Sequence, residues 1–127
     1  METRRIFFAL WPDDRQRDRL RDVINSVAKT VEGRAVDRRN WHVTLAYIGQ
    51  FPEQQIPDLL ARAGEIPVEP FRLNFDRIEF WPRPKVACMV GATVPSELQQ
   101  LIGHLHALMQ DFGVTPEDRT YRPHITV

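Results

Sequence analysis

The chain has 127 residues, 43% of them apolar, and a formal net charge of zero, so one domain with a sizeable core is expected and an unselective polyanion binder is not. No apolar stretch is long enough to span a membrane. The run Ile6–Leu10 is too short for a signal peptide and lacks a small-residue cleavage site, which predicts a cytoplasmic protein. The single cysteine, Cys88, lies in the apolar run 86–90 and reads as a buried structural thiol. Lys29 and Lys85 are the only lysines among 17 basic residues; the rest are arginines, whose planar fork suits phosphate. Most of these arginines read as solvated surface. Arg15, Arg17, Arg19 and Arg21 are interleaved with Asp13, Asp14, Asp18 and Asp22, the pattern of a solvated helix surface.

In chain order, Arg4–Leu10 reads as a strand. Asp13 is the expected N-cap of a helix running to about Thr30, with Leu20, Val23, Ile24, Val27 and Val31 inward and Gly33 as its stop. Trp41–Ile48 reads as a strand closed by Gly49. Glu53–Ala63 is a short helix with Ile56, Leu59 and Leu60 inward. Phe71–Trp81 alternates as a strand with an irregularity near Asp76, and Pro82–Pro84 turns it. Lys85–Thr93 is a buried strand. Ser96 is the cap candidate of a helix carrying Leu98, Leu101, Ile102, Leu105, Leu108 and Met109 on one side, ended by Gly113. Tyr121–Val127 is the last predicted strand.

Strand, helix and a His-x-Thr strand thus occur at 4–48 and again at 85–127, the pattern of a degenerate duplication. The lobe halves are about 1–66 and 67–127, with the Pro67–Pro70 stretch between them. In a strand, residues two apart share a face about 6.6 Å from each other. His42 and Thr44 therefore point one way and Val43 and Leu45 the other; His124 and Thr126 repeat this, with Ile125 and Val127 inward.

Histidine exchanges protons near neutral pH, and two of them in line across a phosphorus can activate water and protonate a departing alkoxide. Hydroxyls of Thr44 and Thr126 can hold the non-bridging oxygens. The site is therefore predicted to comprise catalytic His42 and His124 and phosphate-binding Thr44 and Thr126, the imidazoles facing each other across a cleft. Tyr121 and Arg39 are candidate base or RNA contacts, and Trp11, Trp41, Trp81, Tyr47 and Phe51 candidate stacking residues. His104 and His106 are two apart on a helix and share no face. Four histidines and one cysteine give no zinc spacing, and no phosphate-cradling glycine loop occurs, so no metal or cofactor is expected.

The segments Arg5–Leu10, Trp41–Gly49 and Arg122–Val127 resemble the two-histidine (2H) phosphoesterase superfamily, in particular the RNA 2′,3′-cyclic phosphodiesterases, long labelled 2′-5′ RNA ligases. The resemblance covers essentially the whole chain. It implies an α+β, bilobal fold whose two pseudo-symmetric β-α-β halves carry antiparallel sheets flanking a central cleft. It implies metal-independent opening of 2′,3′-cyclic phosphate RNA ends to 2′-phosphates, with His42 as acid and His124 as base. Alternatives within the resemblance are 2′-5′ ligation or 2′-5′ phosphodiester cleavage; a non-catalytic RNA-end or nucleotide-binding module is the competing class. Members usually continue past the second motif, so C-terminal truncation is expected. The intact family is expected to be monomeric, and this chain to expose a C-terminal strand edge through which it can self-associate.

Overall fold

A computed structural model describes residues 2–28, 36–82 and 85–127. The chain forms two compact units, each assembled from three separated segments: Met1–Ala9, Thr44–Leu73 and Val94–Tyr121 in the first, Leu10–Val43, Asn74–Thr93 and Arg122–Val127 in the second. The secondary structure is mixed α and β, as the sequence predicts.

In the first unit, apart from their end residues Leu10 and Val43, β1 (Thr3–Leu10) and β2 (Val43–Pro52) make a two-stranded sheet. Val43 and Leu45 are buried and Thr44 is not, which is the expected alternation. The strand does not stop at Gly49. That glycine takes the left-handed conformation (φ +86°) within β2, and the strand runs on to Pro52 because Phe51 is drawn into the core. A single 3₁₀ turn, Glu53–Gln55, replaces the expected first turn of helix before α2 (Ile56–Ala63). Leu59 is buried, but Leu60 is 58% exposed, a correction to its expected inward position: this two-turn helix presents too narrow a face to bury both. Phe51, Leu59 and Leu108 form the core, with Ile6, Phe8, Ile48, Ile56 and Phe112 packed on them.

Helix α3 (Ser96–Asp111) buries all six residues expected on its inner side. Its cap is Pro95, not Ser96: Pro95 keeps an extended ψ of 145°, so Ser96 is the first helical residue. Gly113 ends the helix as expected (φ +78°), and the Val114 N–H donates back to the Met109 carbonyl at 2.9 Å.

In the second unit, α1 (Asp14–Ala28) starts from a reciprocal cap. The Gln16 N–H donates to Asp13 Oδ1 at 2.8 Å and the Asp13 N–H to Gln16 Oε1 at 2.9 Å. Ile24 is buried, whereas Val23, expected inward, is 47% exposed. The expected helix end, Thr30–Gly33, and part of the expected Pro82–Pro84 turn lie outside the described residues.

The same unit holds an antiparallel sheet in the order β3 (Arg77–Trp81), β4 (Val86–Val90), β5 (His124–Thr126). All three strands are shorter than predicted. Phe71, Leu73 and Phe75 do alternate half-buried with exposed neighbours, but the strand ladder begins only at Arg77. Lys85 adopts a left-handed φ of +67° and so precedes β4 instead of opening it. The Val127 N–H still donates to the Ala87 carbonyl at 3.0 Å, and β5 is an edge strand of this sheet.

Gly91, just past β4, faces the Asn74 backbone. A Cβ added there would lie 2.1 Å from the Asn74 carbonyl oxygen, far inside contact distance. Gly91→Ala must push one backbone segment off the other and is expected to cost about 1–3 kcal/mol. A chemical denaturation midpoint equal to that of the wild type would refute this.

Candidate active site

The sheet register places eight side chains on one face: Arg77, Glu79 and Trp81 of β3, Val86, Cys88 and Val90 of β4, and His124 and Thr126 of β5. Val90 stands between Arg77 and His124, and Cys88 between Glu79 and Thr126. Cys88 is fully buried, as expected, and burial pushes its thiol pKa up, so it is a neutral packing group. Its Sγ lies 3.9 Å from Thr126 Oγ1.

Both histidines belong to the second unit and are half-buried. Their surroundings match. His42 Nδ1 lies 2.7 Å from the Asn40 carbonyl and His124 Nδ1 lies 2.9 Å from the Arg122 carbonyl, each two residues upstream. A carbonyl only accepts, so Nδ1 carries the hydrogen in both rings and Nε2 is the atom left to exchange a proton. Each ring also packs on a tryptophan. Trp11 and His42 centroids are 4.8 Å apart at 31°, and Trp81 and His124 centroids 4.4 Å apart at 51°.

These tryptophans, named among the stacking candidates, flank the histidines. The signal for them was a repeat: Trp11-Pro12 follows β1 and Trp81-Pro82 closes β3, so the same dipeptide marks the end of a strand in each half. The second half takes its tryptophan from β3, upstream of the 85–127 stretch.

The backbone that receives His42 is organised by charge. Asp37 caps a 3₁₀ turn, Arg38–Asn40, accepting from the Arg39 N–H at 2.9 Å. Arg39 closes a fork on the same carboxylate at 3.1 and 3.0 Å, and its hydrogen bonds hold the Asp37 pKa down at about 2. Arg38 ties the turn to Asp18 of α1 at 2.8 Å. Arg39 is thus engaged with Asp37 while its side chain stays 83% exposed. His42 itself lies just before β2, not within it, because the turn carries the chain as far as Asn40 and the ladder starts at Val43.

Thr44 and Tyr121 belong to the first unit, where the Tyr121 hydroxyl donates to the Thr44 carbonyl at 2.8 Å. Burial pushes the phenol pKa up to about 12, so it remains a neutral donor. Among the described residues no three His, Cys, Asp or Glu side chains gather as a metal-binding group.

Glu79 accepts from three side chains. Oε1 accepts from Arg122 at 2.8 Å and Trp81 Nε1 at 3.2 Å, and Oε2 from Arg77 at 3.1 Å. Arg122 first, then Arg77 and Trp81, hold its pKa at about 2 against an ordinary 4.5. A pKa lowered on folding gives stability that is complete above 4.5 and lost as pH falls through about 2. Carboxyl NMR is expected to find Glu79 still ionised at about pH 3. A midpoint at its ordinary value would show the cluster unformed in solution.

Residues 10–88 match the family model for LigT-like phosphoesterases, and the chain belongs to that family. It is 25% identical over 125 residues to an RNA 2′,3′-cyclic phosphodiesterase of Archaeoglobus fulgidus, which covers 97% of this chain and 70% of that protein. A relative of the same description from Aeropyrum pernix is 30% identical over 113 residues, 86% of this chain and 62% of that protein. The fold matches Escherichia coli LigT crystallised with 3′-AMP at 30% identity and a TM-score of 0.84, over 99% of this chain and 72% of that one.

Proposed function

We propose that this protein hydrolyses RNA 2′,3′-cyclic phosphate ends to 2′-phosphomonoesters by two-histidine acid–base catalysis. The observation that carries the reading is the matched setting of His42 and His124: each Nδ1 on a carbonyl two residues back, each ring on a tryptophan. Two such groups, each held through Nδ1, suit a reaction that takes one proton and gives another. His124 Nε2 removes a proton from water as its oxygen bonds to phosphorus. The P–O3′ bond breaks, and His42 returns a proton to O3′. Thr44 and Thr126, two residues on from each histidine, donate hydroxyls to the non-bridging oxygens. The names carried by the A. fulgidus and A. pernix relatives support the substrate.

Incubation with 2′,3′-cyclic AMP in EDTA, with product separation, tests this. The expected product is 2′-AMP. No turnover, with tight retention of the nucleotide, would favour the binding-module alternative. Joining of a 5′-hydroxyl oligonucleotide would favour ligation. Thr44→Ala and Thr126→Ala are each expected to lower kcat by about 10²–10³-fold through loss of an oxyanion-type donor. An unchanged kcat in steady-state assays would remove that threonine from the site.

A further inference from the structure

We propose that Glu79 is the positioning residue of His124. Two paths join them. Glu79 grips the Arg122 guanidinium at 2.8 Å, and the Arg122 carbonyl fixes His124 Nδ1 at 2.9 Å. Glu79 also accepts from Trp81 Nε1 at 3.2 Å, and the Trp81 ring packs on the imidazole at 4.4 Å. Arg122 closes the set, its guanidinium 5.2 Å from the Trp81 ring centre. One carboxylate therefore holds both groups that orient the histidine. The other charged or titratable groups of this face, Arg77 and Cys88, act on Glu79's far oxygen and on Thr126 respectively.

The first histidine has a parallel. There Asp37 holds Arg39, and the turn they form supplies the Asn40 carbonyl to His42 Nδ1. Each half thus uses a carboxylate–arginine pair to set the backbone carbonyl that fixes its imidazole tautomer. With its own fork engaged by Glu79 and stacked on Trp81, Arg122 serves as an orienting group.

The proposal rests on the reading of His124 as a proton-transfer group, but one arm of its test does not. Imidazole NMR signals of the full chain are compared in wild type, Glu79→Ala and Glu79→Gln, with kcat and KM measured on 2′,3′-cyclic AMP. Glu79→Ala is expected to move the His124 ring signals away from their Trp81-shifted positions and leave those of His42 in place. It is expected to lower kcat by about 10–100-fold with KM unchanged, the signature of a misplaced group rather than lost binding. Glu79→Gln keeps an acceptor for Trp81 but loses the charge that grips Arg122. It should change both readouts in the same direction and by less, and it decides the matter if the alanine variant does not fold. His124 signals that stay put in the folded variants overturn the proposal, whatever the activity. If the wild type itself shows no turnover, the function reading fails, and a selective move of the His124 signals still supports the positioning role.

Discussion

Alanine at either His42 or His124 is expected to lower kcat/KM on a 2′,3′-cyclic nucleotide by about 10²–10⁴-fold, the usual contribution of one positioned acid or base. In the proposed reaction each Nε2 moves a different proton, and both must move for the ring to open. The double variant should then lose little more than the worse single one, because groups that act as a unit are not additive. Both side chains are half-buried beside a tryptophan, so their truncation leaves the cores of the units in place and the loss should fall on chemistry, not folding. Steady-state kinetics on folded variants decides this, and a loss under about tenfold at either position would rule that histidine out as a proton-transfer group.

The largest expected stability effect is at Phe51. It is 1% exposed, sits near the end of β2, and packs with Leu59 and Leu108; its ring lies 5.9 Å from that of Phe112. Phe51→Ala should cost about 3–5 kcal/mol through lost burial and the cavity left behind. That is a large part of the roughly 5–15 kcal/mol of a typical domain. Leu60→Ala, on the exposed side of α2, should stay within about 0.5 kcal/mol. Urea midpoints for the two variants provide the check; similar shifts would mean that the core is not where the structure puts it.

Helix periodicity was the most legible signal. All six inward positions of α3 and the Asp13 cap of α1 followed from spacing and cap chemistry alone. Strand limits were less legible, because a strand ends where its partner ends. Phe71 to Phe75 alternates without a ladder beside it, and the Lys85 backbone conformation leaves no mark in composition. At the candidate site, the His-x-Thr pairs could be read directly. Their supports could not: Trp81 and Glu79 reach His124 only through a sheet register that local pattern does not encode. The repeated Trp-Pro step was a visible clue, but its meaning depended on where each strand stopped.

The three-segment make-up of each unit bears on how the molecule comes into being. A ribosome delivers the chain from one end, and no contiguous stretch contains a whole unit. The first sheet can pair once β2 has emerged, but its core still lacks Leu108 of α3. The second unit waits longer, since β4 gains its second neighbour only when residues 124–126 appear. Until then Met89, Cys88 and Val90, all fully buried in the finished fold, belong to an unfinished strand edge. Nascent chains stalled before Tyr121 should therefore be protease-sensitive and sticky, and the second sheet should form only once residues 124–126 have emerged.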